Sequence, residues 1–293
     1  MALESIAGID YQPIEVWIAD DHSLDDSKSI LKKWQAKRPD WNFVYQDQNL
    51  GNCKTFNGLL AKCRGEFVID FATDDLLIAE NINNWINHFQ LYPDAAFCYA
   101  DAIVFDQKRK TEHLFSKRLK RRNMPEGNIL NQLLEQPFIC PPAVLFRKSA
   151  LEKVGGYDPQ LAFEDLDIWL RLAKEFNVVY FNQAIVKYRK HSNSLSASLL
   201  RSRNQKILTS TILIIKRISN WETFKKGNLA YFSFIKYHLK IAGALQFKEE
   251  ANFFYTILIN SNKGVFEDRF WNWISKIRIP LYKFVTYYYK HFQ

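Results

Sequence analysis

A pair of adjacent carboxylates, Asp74 and Asp75, directly follows the short apolar stretch 67–71. An apolar run of that length predicts a buried strand, and the acids then lie at the carboxyl edge of a sheet, where α/β proteins bind ligands. Paired carboxylate oxygens beside a phosphate-bearing ligand are typical ligands of Mg²⁺ or Mn²⁺. The alternative is a solvated Asp-Asp turn that caps a helix beginning near Leu76.

A second acidic pair, Asp20 and Asp21, follows another apolar stretch, 14–19, and Ser23 stands close behind it. Carboxyl ends of parallel strands meet at one edge of a sheet, so both acidic pairs are expected in the same crevice. Carboxylates there can accept hydrogen bonds from a nucleoside base or ribose. The alternative is that they are turn or cap residues.

A third acidic pair, Glu164 and Asp165, begins an amphipathic stretch that continues through Ile168, Leu172 and Phe176. An acid at the start of a helix that faces a cleft can take the proton from a hydroxyl group. The same residues could serve only as partners of the helix macrodipole. The sequence does not decide which of the two acids would act.

The elements that position these acids alternate as strand, helix, strand, helix and strand between residues 14 and 71. This order predicts an α/β fold with a doubly wound, mostly parallel sheet. A strand is expected over 95–105, broken by Asp101, and an edge or crossover strand over 138–147, which contains a double proline. The basic stretch 106–123 is predicted to be a flexible arm or an exposed hairpin, and residues 178–188 a final strand pair.

The composition indicates a folded protein, with 293 residues of which 47% are hydrophobic. The four cysteines show no CxxC spacing, so we expect reduced thiols, no zinc site and a cytoplasmic protein. No segment reaches the roughly 18 consecutive apolar residues that a transmembrane helix needs. A sugar-phosphate nucleotidyltransferase is disfavoured, because no glycine-rich basic loop follows the first predicted strand.

The positive charge is concentrated in the last third of the chain. Residues 201–293 contain 16 Lys and Arg against 5 Asp and Glu, a net charge of +11. We therefore divide the chain into an α/β domain, 1–198, and a basic, aromatic-rich helical region, 199–293. Basic residues interleaved with aromatics are typical of helices that lie on an anionic bilayer. The alternative is a small helical domain with an aromatic core; no nucleic-acid-binding fold accompanies the charge.

Taken together and in order, these motifs resemble those of the family 2 glycosyltransferases, which have the GT-A fold. The resemblance covers about residues 3–198. The matching blocks are the strand-end motif 18–27, the Asn49-Leu-Gly-Asn stretch with Asn57-Gly-Leu, the metal motif Thr73-Asp-Asp75, the acceptor-side pair Glu164-Asp165, and the late histidine motif Tyr188-Arg-Lys-His191.

The resemblance implies inverting, metal-dependent transfer of a sugar from a nucleotide sugar, most commonly UDP-linked, to an acceptor hydroxyl. It implies a catalytic base at Asp165 or Glu164 and a Mn²⁺ or Mg²⁺ site formed by Asp75, Asp74 and His191. Residues implied to bind the nucleotide are Asp20, Asp21, Ser23, Asn49, Gly51, Asn57 and Asp74. The acceptor would be a saccharide or a lipid-linked molecule in surface polysaccharide or glycolipid assembly, handled at the inner face of the membrane.

The chain departs from the family pattern at two places. Ala72 stands where the metal motif often has a further Asp, and the family's usual first strand is absent before residue 14. Without that strand, two strand edges are expected to be left unpaired in the core. An inactive GT-A remnant, or a binding module without a complete nucleotide pocket, is therefore the alternative function.

Overall fold

The computed structural model describes residues 1–106, 111–119, 123–189, 205–225 and 227–277. The chain divides into two compact units. One, the α/β unit, comprises Met1–Leu130 and Phe138–Lys190; the other, the helical unit, comprises Asn131–Pro137 and His191–Gln293. The boundary expected at 198/199 lies outside the described residues and stays a prediction.

The α/β unit begins with a two-stranded parallel sheet and its helices. The elements are α1 (Ala2–Ala7), β1 (Trp17–Asp20), α2 (Ser27–Lys37), β2 (Asn42–Tyr45) and α3 (Asn52–Leu60). In the register of β1 and β2, Trp17 lies opposite Asn42 and Asp20 opposite Tyr45. Leu3, Ile18, Leu31 and Trp41 form the small core beneath this sheet.

A larger mixed sheet follows, with the strand order β3-β7-β5-β8-β4 and β6 paired with β5. Its strands are β3 (Phe67–Ile69), β4 (Leu76–Leu77), β5 (Ala95–Asp106), β6 (Thr111–Leu114), β7 (Val144–Arg147) and β8 (Asn177–Arg189). The helices along this part of the chain are α4 (Ile82–Gln90), α6 (Lys148–Lys153) and α7 (Asp165–Glu175). α5 (Leu130–Glu135), which lies between α4 and α6 in the sequence, belongs to the helical unit from Asn131 onwards. On α4, Trp85, Ile86 and Phe89 pack against the sheet, as their helical spacing predicts.

The α/β class is confirmed, but the strand pairing is mixed where a mostly parallel sheet was expected. Among the described residues only β1–β2 and β5–β8 are parallel pairs. Strands and helices alternate along the chain only as far as β3, and only such alternation predicts parallel neighbours. Beyond it, β6 runs back along β5 after a short connection, which makes that pair an antiparallel hairpin. This is one of the two structures expected for the basic stretch.

Two local expectations and one of the alternatives are wrong. β7 is an interior strand bonded to both β3 and β5, because Pro141 and Pro142 precede Val144 and remove no ladder donor. Residues 177–189 form one strand rather than two, and the apparent break is a bulge beside Asp101 of β5. Leu76 begins a short strand and not a helix, so Asp74 and Asp75 do not cap a helix there.

Within the described residues, β1 pairs only with β2, and β3 pairs only with β7. One edge of β1 and one edge of β3 therefore have no strand partner in this part of the chain. The Glu15 carboxylate joins the two sheets ahead of these strands. It accepts the backbone N–H of Gly65 over 2.7 Å and also that of Arg64.

The helical unit contains α8 (Gln205–Ile218), α9 (Glu222–Lys225), α10 (Leu229–Leu245), α11 (Lys248–Asn260) and α12 (Phe266–Ile274). Its buried aromatics are Phe224, Tyr231, Phe232, Phe234 and Phe254, so these side chains form a core, as the helical-domain alternative predicts. Among the helices that the structure describes, none combines the length and apolarity needed to cross a bilayer.

Candidate active site

The loop after β1 is organised around the Asp21 carboxylate. Oδ1 accepts the backbone N–H of Leu50 at 2.8 Å and the Thr55 hydroxyl at 3.0 Å, and Oδ2 accepts the N–H of Gly51 at 2.8 Å. Gly51 precedes α3 with φ +84°, a conformation that favours glycine. Asp21 therefore ties the end of β1 to the start of α3.

Further hydrogen bonds hold the other predicted residues of this loop near Asp21. Asp20 is buried and accepts the Ser23 backbone N–H over 3.3 Å, while the Asn49 amide donates to the Asp21 carbonyl over 3.0 Å. The structure thus brings together Asp20, Asp21, Ser23, Asn49 and Gly51. Ser23 and Asn49 have exposed side chains that a ligand can reach, whereas the Asp21 carboxylate is already satisfied by the protein.

Asn57, also predicted to bind nucleotide, holds a second loop in place. Its amide donates to the Tyr157 carbonyl over 2.8 Å and accepts the Tyr157 N–H over 2.9 Å. Gly156 has φ +67°, and a Cβ there would lie 2.5 Å from Asn57 Oδ1. The Asn57 side chain and Gly156 therefore form a tight clamp between α3 and the loop before α7.

Asp74 and Asp75 lie in the turn between β3 and β4, beside the end of β8. Asp75 is 2% exposed and its Oδ1 accepts the Arg189 backbone N–H over 2.7 Å. The Arg189 side chain donates to the main-chain carbonyl of Asp74 over 2.8 Å, and the Asp74 side chain is exposed. Arg189 thereby fixes the backbone that carries both acids.

The two carboxylates have the donor chemistry that a hard divalent cation requires, together with oxygens supplied by a phosphate ligand. His191, the third predicted ligand, lies outside the described residues. Within the described part of the chain, no group of three His, Cys, Asp or Glu side chains converges as a metal site.

Glu164 and Asp165 are half-buried at the N-terminus of α7, where Asp165 Oδ1 accepts the Leu166 N–H over 2.7 Å. Burial, and then the Glu164 charge, raises the pKa of Asp165 to about 6. Burial also raises the pKa of Glu164. A carboxyl group with a pKa near 6 is suited to accept a proton from a hydroxyl near neutral pH.

Asp70 is an acid of this site that the sequence analysis missed. Its Oδ2 accepts the Tyr157 hydroxyl over 2.9 Å, and burial, followed by the Glu164 charge, raises its pKa to about 6. The Glu164 charge therefore acts on both Asp70 and Asp165. The sequence does contain a signal for Asp70, since its carboxylate stands between the apolar residues Ile69 and Phe71. A charged residue is rarely buried among apolar ones unless it has a partner or a function.

The loop before α7 is fixed from several sides. The Tyr157 ring stacks on Phe56 with centroids 4.1 Å apart. Arg171 of α7 bonds the buried Asp167 over 2.8 Å and donates to the Val154 and Gly156 carbonyls, each over 2.6 Å. The first turn of α7, and with it Asp165, therefore has a defined position relative to Asp70.

The α/β unit, with acids after β1 and β3 and at the start of α7, has the GT-A fold of solved glycosyltransferases. TarS of S. aureus, solved with UDP-GlcNAc, has a TM-score of 0.60 at 16% identity, covering 100% of this chain and 87% of its own. The mannosyltransferase PcManGT of Pyrobaculum calidifontis, solved with GDP-Man and Mn²⁺, has a TM-score of 0.59 at 16% identity, covering 99% and 82%. At such identities the likeness establishes the fold.

The sequence profile of glycosyl transferase family 2 matches residues 1–155, more than half of the chain, and the protein belongs to that family. The amylovoran biosynthesis glycosyltransferase AmsE of Erwinia amylovora is 29% identical over 58% of this chain and 62% of its own length. A GalNAc(5)-diNAcBac-PP-undecaprenol beta-1,3-glucosyltransferase of Campylobacter jejuni is 23% identical over 82% of this chain and 78% of its own. The chain thus spans less than two thirds of the first relative.

Proposed function

We propose that the chain transfers a sugar, with inversion, from a nucleotide sugar to an acceptor hydroxyl. The observation that carries the proposal is the pair Glu164 and Asp165, held half-buried at the start of α7 with raised pKa values. TarS was solved with UDP-GlcNAc and PcManGT with GDP-Man, which supports a nucleotide-sugar donor. We favour a uridine nucleotide, as the resemblance in the sequence implies.

In this mechanism Asp165 is the general base. It accepts the proton of the acceptor hydroxyl while that oxygen attacks the anomeric carbon and the nucleoside diphosphate leaves from the opposite face. Attack opposite the leaving group inverts the anomeric configuration. Burial, and after it like-charge repulsion from Glu164, keeps the pKa of Asp165 raised.

Asp75 and Asp74, with His191, would hold a divalent cation. Mn²⁺ in PcManGT supports this assignment. When bound, such a cation stabilises the negative charge on the departing diphosphate as a Lewis acid. Arg189 positions the two carboxylates, because its backbone N–H and its guanidinium group hold the turn that carries them.

The proposed acceptor is a saccharide or a lipid-linked saccharide in surface polysaccharide or glycolipid assembly. The names of the Erwinia and Campylobacter relatives, one for amylovoran biosynthesis and one for an undecaprenol-linked substrate, support this class. We propose that the reaction takes place at the inner face of the membrane, with residues 201–293 near the lipid surface.

The test is release of nucleoside diphosphate from a panel of UDP- and GDP-sugars, with wild type, Asp165→Asn and Glu164→Gln. Asp165→Asn is expected to reduce kcat by about 10² or more with little change in KM, because it removes the general base. Glu164→Gln is expected to cost less. Asp94→Asn, an exposed acid, is the control. Equal activity of Asp165→Asn and wild type would contradict the assignment.

A binding module that retains the fold without turnover is the second candidate. The unpaired edges of β1 and β3, and the occupation of Asp21 by its own loop, favour it. Nucleotide binding without release of diphosphate from any donor would support this alternative.

A further inference from the structure

The outer face of α12 presents three aromatic side chains to solvent. Phe266 is 85% exposed, Phe270 43% and Trp273 57%. At about 100° per residue these positions lie within an arc of about 60° on the helix. Three large apolar side chains on one exposed stripe form a contact surface rather than scattered surface residues.

The opposite face of α12 is packed within the helical unit, which fixes the direction of the aromatic stripe. Asp268 and Asn272 of that face are buried, and so is Ile274 beside the stripe. Gly243 of α10 allows close approach, since a Cβ there would lie 2.5 Å from the Trp271 carbonyl oxygen. The stripe therefore cannot turn inward without separating α12 from α10.

The acids of α12 are neutralised by lysines of α10. Glu267 Oε1 lies 2.7 Å from Lys240 Nζ. Asp268 Oδ2 lies 3.6 Å from Lys236 Nζ and accepts the Val265 N–H at 2.8 Å. Neither acid therefore contributes an unbalanced negative charge beside the aromatic stripe.

Two exposed basic residues, Arg269 and Lys276, lie on the flank of the stripe next to Trp273. Neither makes an ion pair with another residue in the part of the chain that the structure describes. The surface formed by Phe266, Phe270, Trp273, Arg269 and Lys276, called the α12 face below, is thus both aromatic and cationic.

We propose that the α12 face docks on the surface of an anionic lipid bilayer. Phe and Trp side chains enter the boundary between headgroups and acyl chains, while Arg and Lys attract anionic headgroups. The net charge of +11 over residues 201–293 adds long-range attraction to such a surface. This inference rests on the proposed location of residues 201–293 near the lipid surface and makes it specific. It does not require turnover, so loss of the transferase assignment leaves it testable.

The experiment is co-sedimentation of the full chain with vesicles of phosphatidylcholine alone or with one part in four phosphatidylglycerol, without donor or acceptor. Wild type is expected to bind the anionic vesicles and to be released by 0.5 M NaCl. Salt weakens the attraction because the Debye screening length falls from about 10 Å at 0.1 M to about 3 Å at 1 M. Phe266→Ser/Phe270→Ser/Trp273→Ser is expected to lower partitioning at least about tenfold. Arg269→Gln and Lys276→Gln are each expected to lower it about fivefold.

The matched control is Leu24→Ser/Leu91→Ser/Leu229→Ser, which removes three apolar side chains that are 96%, 72% and 79% exposed elsewhere. It is expected to bind as wild type does. The two charge variants provide the test if the aromatic triple variant does not fold. The proposal is overturned if wild type does not bind anionic vesicles, or if the aromatic variant or the charge variants bind them as strongly as wild type does. It is equally overturned if the aromatic variant only converts a dimer to a monomer, since the face would then join two copies.

Discussion

In the proposed mechanism, the adjacent acids Asp165 and Glu164 have different roles. Asp165 is bonded to the start of its own helix and has a pKa of about 6, raised by burial and by its neighbour. Glu164 precedes the helix and acts on Asp165 through its charge. The sequence placed both acids at a helix start but could not rank them, because burial and mutual repulsion depend on the folded loop.

The pH dependence of transfer follows from this arrangement. The base must be deprotonated, so kcat/KM is expected to rise with pH through about 6, the pKa of Asp165. Glu164→Gln removes a like charge, lowers the pKa of Asp165 and moves the acid limb to lower pH. The measurement is a pH profile from 4.5 to 8.5, with Asp94→Asn as a control that leaves the limb in place. A limb that moves upward in Glu164→Gln would contradict the account.

Asp70 makes a prediction about stability. Its folded pKa of about 6 exceeds the ordinary value of 3.8, so the folded chain binds the proton more tightly than the unfolded chain does. That contribution to the unfolding free energy is fully present below about pH 4 and is lost as the pH rises through 6. Asp70→Asn keeps an acceptor for Tyr157 and is therefore expected to exceed wild type in stability by about 1–3 kcal/mol at pH 8.

Urea denaturation at pH 4 and pH 8 checks this prediction. The stability difference between Asp70→Asn and wild type should shrink towards zero at pH 4, where both side chains are neutral. If Asp70→Asn were less stable than wild type by the same amount at both pH values, the raised pKa would not describe the folded chain.

At the scale of elements, the Asn57 clamp links α3 to the loop that precedes α7. Asn57→Ala removes two hydrogen bonds and is expected to cost about 2 kcal/mol. Gly156→Ala places a Cβ against Asn57 Oδ1 at φ +67° and is expected to cost a similar amount. The double variant should cost less than the sum, because removing the Asn57 amide frees the space that the Cβ needs.

Gly58→Ala is the matched control for the clamp. Gly58 lies in α3 next to Asn57, and a Cβ there would meet no atom within 4 Å. Its substitution is expected to be neutral or stabilising by up to about 1 kcal/mol, from helix propensity alone. Strictly additive costs for Asn57→Ala and Gly156→Ala in denaturation experiments would contradict the clamp.

Much of the element order could be predicted from the sequence. Apolar runs and helical spacing marked β1, β2, α3 and α4 because each signal is local. The pairing of the later strands could not be predicted, since it depends on contacts between distant segments. The sequence shows the irregularity at Asp101 of β5, but the matching irregularity in β8 looks like a turn between two strands. A bulge and a turn both interrupt the alternation of apolar and polar residues, so the sequence does not distinguish them.

At the scale of the whole molecule, the aromatic residues of the last third separate into two populations. Phe224, Tyr231 and Phe232 are buried in the helical unit, whereas Phe266 and Phe270 are exposed. Both groups look alike in the sequence, where basic residues accompany them equally. Only the packing of the helices decides which aromatics form a core and which form a surface.

The α/β unit belongs to family 2, yet one edge of β1 and one edge of β3 have no strand partner among the described residues. The loop of Asp20, Asp21 and Asn49 is nevertheless closed by hydrogen bonds, and Glu15 joins the two sheets. We therefore propose that this unit binds a nucleoside diphosphate with a divalent cation at Asp75.

Calorimetric titration of the full chain with UDP and with GDP, each with and without Mn²⁺, tests that claim most directly. We predict binding of one of them that requires Mn²⁺, is lost in Asp75→Ala and is retained in Asp94→Ala, with all variants folded by circular dichroism. A folded wild-type chain that binds neither nucleotide in the presence of Mn²⁺ would contradict the account and leave a GT-A fold without a donor site.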